Sequence, residues 1–415
     1  MIKAGIGTAC VSGLILSPLV AGAELADERE RPPNILYAIS DDQSWIHAGA
    51  YGFEEARTLE ERPEERPFFF WYGAREPHPG TIRANLGSGV AAGFDLEAIE
   101  VPPFLPDVPE VRSHIADYLR MIEVFDENLG AMLAMLEEAG ELDNTIVIVT
   151  SDHGMGFPRA KANLYEYGVR VPLAVRWGAE VPAGRVVDDL IDLIDITATI
   201  YDATGVGKPE EYPISGRTML GLLRSGKEGI VEPERDAVYL GRERHTSARH
   251  DNLGYPIRAI RTQEYLYIHN FYPDRWPAGA PQALRDDGSF YPRSHGGNAF
   301  ADIGDSPTKT FLVENSDHEK YREYFLLAVG RRPAEELYDI RNDPGCLNNL
   351  AGHPEYADIR LDLAKRLETH LEEFGDPRIV GPDPEIFETY LRYGGIRRYP
   401  PPEREPEEWS RKIAP

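Results

Sequence analysis

Four side chains that could bind a cation follow two short apolar runs of the chain. The runs are Asn34–Ser40 and Thr145–Thr150, and each is typical of a buried strand in a parallel sheet. The four side chains are Asp41, Asp42, Asp152 and His153. Ligands of open α/β sheets bind beyond the carboxyl ends of the strands. If the two strands are neighbours, three carboxylates converge and repel one another unless a cation neutralises them, so a divalent-metal site is predicted.

The ligand atoms indicate which metal such a site would hold. Carboxylate oxygens are hard ligands that favour Ca²⁺, with Mg²⁺ as the alternative. His153 would add a nitrogen, which is unusual for Ca²⁺ and leaves the identity of the metal open. Either pair alone fits a strand-end turn or a helix N-cap, so the prediction depends on both pairs lying at equivalent strand ends.

Two further side chains lie just beyond predicted strands. His78 follows the apolar run Phe68–Tyr72 and is flanked on both sides by proline, which restricts the local backbone. Lys161 follows Asp152 by nine residues, in the loop that begins at the predicted metal site. A lone histidine or lysine is usually structural or solvated. At this edge of a sheet, however, the two could bind an oxyanion or transfer a proton.

The elements that must position these residues alternate between strand and helix. Apolar residues recur at three- and four-residue steps from Val111 to Gly140, which predicts a helix before the strand at Thr145–Thr150. Val171–Trp177 is predicted as a further strand and Asp188–Ala203 as an amphipathic helix. The alternation predicts an α/β fold in which a mostly parallel central sheet lies between helices.

Near Glu232 the alternation of strands and helices gives way to the predicted strands of a second, smaller sheet. Ala237–Leu240 and Tyr265–Asn270 are predicted strands of a smaller sheet, and Ala357–Phe374 is a predicted closing helix. The chain after Gly375 is rich in Pro, Glu and Arg and is predicted to lie irregularly over the surface. The predicted domains are a signal peptide (1–23), an α/β domain shortened internally near 52–66 (24–235), a C-terminal α+β subdomain (236–375) and the tail (376–415).

Composition restricts the partners and the compartment. The formal net charge is −26 over 415 residues, which disfavours nucleic acid or an anionic membrane surface as a partner. Lys3, an apolar run up to Val20 and an Ala-Gly-Ala cleavage site predict a signal peptide, and therefore export to the periplasm or the extracellular space. Of the two cysteines, Cys10 lies in that segment, so no intramolecular disulfide is expected for Cys346.

Several segments carry recognisable sequence motifs. They are residues 34–43, ending in Asp-Asp-Gln, residues 68–78, ending in Arg-Glu-Pro-His, residues 150–172, with Thr-Ser-Asp-His-Gly followed by a lysine, and residues 335–351. Together they resemble the type I sulfatases of the alkaline phosphatase superfamily. The C-terminal half, with Tyr255–Arg261, most resembles the heparan N-sulfatase (sulfamidase) branch of that family.

The resemblance implies a role for each matching position. The ligands of a divalent metal, usually Ca²⁺, would be Asp41, Asp42, Asp152 and His153. The last of these is often Asn in the family. Lys161 and His78 would bind the sulfate oxygens or assist the leaving group. The implied substrate is a sulfate ester or sulfamate, carried by a small molecule or a glycan.

One part of the family pattern is absent from this sequence. Type I sulfatases carry Cys- or Ser-x-Pro-x-Arg soon after the first strand, and its Cys or Ser is converted to the formylglycine nucleophile. No Pro of this chain has both an Arg two residues later and a Cys or Ser two residues earlier. Tyr51 and Gly52 lead instead into a stretch dense in Glu and Arg, so the chain resembles a sulfatase with an internal deletion.

Three functions stay open on these residues. The first is a sulfatase-family hydrolase of a glycan, with little or no turnover because the nucleophile motif is absent. The second is a non-catalytic relative that binds metal or glycan, which the same absence favours. The third is a phosphatase or phosphodiesterase of the superfamily. That function would need a second set of His ligands, and the 11 scattered His do not provide one.

Overall fold

The structure, a computed structural model, describes residues 32–40, 63, 66–208, 210–211, 214–291, 298–392, 395–407 and 409. The predicted signal peptide and the acidic pair Asp41 and Asp42 lie outside these residues. The described chain forms two compact units. The first contains the described residues of Met1–Thr81, Leu119–Asp152 and Val171–Asp236, and the second those of Ile82–Tyr118, His153–Arg170 and Ala237–Pro415.

A four-stranded sheet lies at the centre of the first unit. Its strands are β1 (Asn34–Ser40), β2 (Phe69–Gly73), β3 (Thr145–Ser151) and β4 (Leu173–Arg176). Their spatial order is β2-β1-β3-β4. Strand β1 is parallel to both β2 and β3, whereas β4 pairs antiparallel with β3. The predicted α/β class with a mostly parallel sheet is therefore confirmed.

The helices vary widely in length. In chain order they are α1 (Pro79–Ala84), α2 (Ser88–Ala92), α3 (Pro109–Glu138), α4 (Glu166–Val169), α5 (Ile194–Thr204), α6 (Leu220–Arg224), α7 (Pro307–Glu314), α8 (Arg322–Val329), α9 (Ala357–Glu373), α10 (Pro377–Val380) and α11 (Ile386–Thr389). Short 3₁₀ turns are found at Leu96–Ala98, His250–Asn252, Pro354–Tyr356 and Pro402–Arg404. In the part of the chain that the structure describes, no helix combines the length and the apolar character needed to cross a membrane.

Helices cover both faces of the sheet in the first unit. On one face the ring of Tyr72 stacks on Phe125 of α3, with 5.4 Å between the centroids, and Leu129 packs in the same cluster. On the other face Ile148 of β3 packs with Ile196 of α5. Because successive side chains of a strand point to opposite faces, an almost uninterrupted apolar run such as β1 is needed to fill both clusters.

Helix α5 begins at Ile194 rather than at the predicted Asp188. The carboxylate of Asp189 accepts hydrogen bonds from the backbone N–H groups of Val231 and Glu232, at 2.8 and 2.7 Å. These contacts hold the preceding segment in a loop, because side-chain acceptors compete with the helical hydrogen-bond pattern.

An antiparallel sheet lies at the centre of the second unit. Its strands, in spatial as in chain order, are β5 (Ala237–Arg242), β6 (Ile257–Thr262), β7 (Tyr265–Asn270) and β8 (Glu335–Asp339). Leu363 and Leu367 of α9 pack on one face of this sheet against Ile260. Strands β6 and β8 were not predicted, because buried Arg258 and Glu336 interrupt the apolar pattern that identifies a strand.

In its described residues, the tail after Gly375 contains two short helices and a 3₁₀ turn, and two of its aromatic side chains are buried. Tyr399 and Trp409 are 4% and 2% exposed and lie in an apolar cluster with Phe300 and Phe325. The rings of Phe300 and Trp409 meet edge to face, with 5.4 Å between their centroids. The tail therefore contributes to the hydrophobic core of the second unit, in addition to covering its surface.

Candidate functional site

The register of β1 and β3 aligns the two strand ends from which the predicted metal-ligand segments leave. Ser40 is the register partner of Ser151, and in the sequence Asp41 and Asp152 are the next residues. Paired strands lie about 4.8 Å apart, so the backbones at these two ends are close. Asp152 is exposed at this edge. Because Asp41 lies outside the described residues, its convergence with Asp152 stays a prediction.

His153 is held by a hydrogen bond that fixes its tautomer. Its Nδ1 lies 2.8 Å from the backbone oxygen of Gly154, so Nδ1 carries the proton and Nε2 carries the lone pair. That is the form in which an imidazole binds a metal. Within the described ranges, no group of three or more His, Cys, Asp or Glu has the arrangement of a metal site. Two of the four predicted ligands lie outside those ranges.

His78 has the opposite tautomer. It follows β2, whose last residue, Gly73, is the register partner of Ile39 in β1. The Nδ1 atom of His78 accepts a hydrogen bond from the backbone N–H of Gly80 at 3.0 Å, which leaves the proton of the neutral ring on Nε2. His78 is therefore suited to donate a hydrogen bond to an oxygen atom of a ligand.

Lys161 lies in a tightly closed loop of the second unit and is 8% exposed. The N–H of Gly154 donates to the backbone oxygen of Gly168 at 2.9 Å, which closes the loop at its base. A Cβ atom at Gly154 would lie 2.0 Å from the oxygen of Tyr167, so only glycine fits there. The loop therefore holds Lys161 in a defined position rather than as a solvated charge.

Arg159 helps to hold this loop, and its role was not inferred from the sequence. It is 3% exposed, and its guanidinium donates to the backbone oxygens of Leu327, at 3.1 Å, and of Cys346. It also lies 4.1 Å from the ring centroid of Tyr165. Arg159 has a φ of +68°, which non-glycine residues adopt only where the surroundings hold them. The only sequence signal for Arg159 is its place two residues before Lys161.

Two family sequence models match the chain. The model described as "Sulfatase" matches residues 53–206, and the model described as "N-sulphoglucosamine sulphohydrolase, C-terminal" matches residues 154–278. An ulvan-active sulfatase of Formosa agariphila is 28% identical over 66% of this chain and 41% of its own length. Human N-sulphoglucosamine sulphohydrolase is 26% identical over 79% of this chain and 65% of its own length. The chain thus spans less than two thirds of the length of either relative.

A solved structure shares the fold. It is the structure of a protein in complex with its substrate D-glucosamine-2-N,6-O-disulfate, with a TM-score of 0.52 and 18% sequence identity. The match covers 85% of this chain and 82% of that protein. The resemblance to the sulfatases that the motifs indicate is therefore confirmed by two matched models, which together span residues 53–278, and the α/β fold is confirmed by the structural match.

Proposed function

We propose that this chain is an exported sulfatase-family protein that takes a sulfate ester or sulfamate of a glycan as its substrate. The names of the similar proteins support this substrate class. The human relative is named for N-sulphoglucosamine, and the similar solved structure was determined with a disulfated glucosamine. The observation that carries the proposal is the register that pairs Ser40 with Ser151, since each residue directly precedes an acidic motif.

The proposed site holds one divalent cation, Ca²⁺ or Mg²⁺. Its ligands are Asp41, Asp42, Asp152 and His153. The aligned strand ends and the hard carboxylate oxygens fit such an ion, and the tautomer of His153 leaves a nitrogen lone pair for it. When bound, the cation offsets the repulsion between the carboxylates and polarises the sulfate group.

Lys161 and His78 are proposed to contact the sulfate group. A chain with a formal net charge of −26 repels an anionic substrate unless local cations offset that field. The ammonium group of Lys161 would supply one positive charge to the sulfate oxygens. The Nε2–H of His78 would donate to a sulfate oxygen or to the oxygen or nitrogen of the leaving group.

The residues of this chain do not fit formylglycine. The Cys- or Ser-x-Pro-x-Arg motif that would be converted to it is absent from the sequence. We therefore propose that the chain in this form binds its substrate without appreciable turnover. The second candidate is a non-catalytic relative that binds metal or glycan and whose natural gene also lacks the motif, and the same absence favours it. Resequencing the genomic locus around the codons for residues 51–65 separates the two, because a restored motif would favour the hydrolase.

Calcium is expected to stabilise the wild-type chain through the proposed site. At a hundredfold excess of Ca²⁺ over its Kd, linkage adds about 2.7 kcal/mol, which raises the Tm by about 3 °C for a chain of this size. Asp152→Asn is expected to remove most of this shift. The matched control is Asp143→Asn, which removes an exposed carboxylate just before β3 at the opposite end of that strand. Differential scanning fluorimetry measures all three proteins, and equal shifts in all of them, or none in the wild type, would contradict the site.

A further inference from the structure

A buried carboxylate of the second unit orients a partly exposed histidine. His245 lies in the connection between β5 and β6, and its side chain is 31% exposed. Its Nδ1 lies 3.4 Å from Oδ1 of Asp302, whose side chain is only 2% exposed. The neutral imidazole therefore carries its proton on Nδ1, and its Nε2 is available to a ligand. A carboxylate behind a histidine is a common way of fixing the ring for binding or catalysis.

Asp302 is itself held in place on two sides. It accepts a hydrogen bond from the backbone N–H of Thr246 at 3.2 Å, and another from Nη2 of Arg249 at 2.6 Å. Nη2 of Arg242 lies 3.9 Å from the same carboxylate. One buried carboxylate thus faces two guanidinium groups.

The tail fixes the backbone on either side of His245. Nη2 of Arg244 donates to the backbone oxygen of Phe387 at 2.7 Å. On the other side, the N–H of Arg397 donates to the hydroxyl of Ser247 at 3.1 Å. The loop that carries His245 is therefore held between two parts of the tail.

Arg397 places a further guanidinium beside Thr246 and Ser247, the two residues that follow His245. Its guanidinium Nη1 lies 3.3 Å from Oγ1 of Thr246, the residue after His245, and 3.2 Å from the backbone oxygen of Ser247. Arg397 is exposed, so its remaining N–H groups can reach a ligand in solution. An ordered imidazole beside an exposed guanidinium is an arrangement that binds an oxyanion.

We infer that His245 and Arg397 form a second oxyanion-binding subsite, which takes a carboxylate or sulfate group of an acidic sugar. The inference rests on the proposed function, because it assigns a place to a further acidic group of the same glycan. It specifies the substrate class: an oligosaccharide with a second anionic group, rather than a monosaccharide sulfate alone.

The test measures binding of a heparin-derived disaccharide that carries both a uronate and sulfate groups. Isothermal titration calorimetry with the full chain in Ca²⁺ gives Kd for the wild type, His245→Ala and Arg397→Gln. Each substitution is expected to weaken binding about tenfold. The matched control is Arg398→Gln, which removes the same charge one residue further along the tail, where the guanidinium contacts only the oxygen of Asp286 among the described residues. The control is expected to change Kd less than twofold.

Two kinds of modified probe show whether the subsite binds a carboxylate or a sulfate. Reducing the uronate carboxyl of the disaccharide should abolish the effect of Arg397→Gln if the subsite takes a carboxylate. Removing the sulfates one at a time, so that one sulfate always remains for Lys161 and His78, should abolish the effect in one of the products if the subsite takes a sulfate. The inference is overturned if His245→Ala and Arg397→Gln bind the disaccharide like the wild type, if Arg398→Gln weakens it equally, or if the wild type does not bind it. Because binding is measured, an absence of turnover does not affect this result. Loss of binding in Asp152→Asn tests the proposed function separately.

Discussion

Co-expressed with the formylglycine-generating enzyme and supplied with Ca²⁺, the chain is expected to release sulfate from neither a chromogenic aryl sulfate nor glucosamine N-sulfate above background. A covalent mechanism requires an activated nucleophile, and the motif that would supply one is absent. Charge stabilisation without an attacking group leaves a residual acceleration on the order of 10³–10⁴ over water in the best-studied case. The expected loss relative to a complete sulfatase is therefore several orders of magnitude.

No side chain in the described residues offers an evident substitute for this nucleophile. Cys346 is fully buried, and burial raises the pKa of its thiol to about 12, so little thiolate forms at neutral pH. Ser40 and Ser151 end their strands, and each is 9% exposed. Ser44, which lies outside the described residues, is not in the motif that the modifying enzyme recognises. The control is the double variant Asp42→Ala, Asp152→Ala. Wild-type turnover well above that of the double variant would mean that another group attacks sulfur.

Asp302→Ala is expected to lower the free energy of unfolding by about 3–5 kcal/mol, because it leaves buried guanidinium groups without their counter-charge. Asp302 contacts Arg249 at 2.6 Å and Arg242 at 3.9 Å, and all three side chains are less than a tenth exposed. The matched control is Asp143→Ala, because Asp143 is 80% exposed and its partner Arg176 is 41% exposed, so that pair contributes little. Urea unfolding at pH 7 measures each free energy, and equal losses in the two variants would contradict the expectation.

The same carboxylate should make stability depend on pH in the acid range. Burial alone would raise the pKa of Asp302, but Arg249, the hydrogen bond from His245, and Arg242 outweigh it and hold that pKa well below its usual value. Since the folded-state pKa is lower than the unfolded one, the stabilisation is complete above about pH 4 and is lost as the pH falls toward the folded-state pKa. Between pH 5 and pH 2.5, the free energy of unfolding of the wild type should therefore decrease more steeply than that of Asp302→Ala.

The strands of the first unit could be predicted because their apolar sequences match the apolar surroundings in which they are buried. Asn34–Ser40 is an almost unbroken apolar run, and both faces of β1 are covered by apolar clusters. The strands β6 and β8 could not be predicted in this way. Their buried charges, Arg258 and Glu336, have nearby partners in Glu243 and Tyr338, but each also depends on a partner more than 60 residues away, namely Asp376 for the first and Asn270 for the second. Long-range pairing of this kind leaves no periodic signal in the sequence.

In the candidate site, too, some residues could be predicted from the sequence and others could not. Asp152 and His153 were identifiable because a short acidic motif directly follows an apolar strand. Arg159 and Asp302 were not, because their importance depends on contacts that the fold creates. Arg159 binds backbone oxygens 168 and 187 residues away, and Asp302 binds a guanidinium 53 residues away. The buried ring of Trp409 in the tail was missed for the same reason.

The most direct measurement is the position of calcium in crystals of the full chain, located by anomalous scattering at long wavelength. One Ca²⁺ is expected at the carboxyl ends of β1 and β3, with oxygens of Asp41, Asp42 and Asp152 at about 2.3–2.6 Å. No calcium at that edge would contradict the proposed site. So would carboxylates of Asp41 and Asp152 more than about 10 Å apart, because ligands at that separation cannot share one ion.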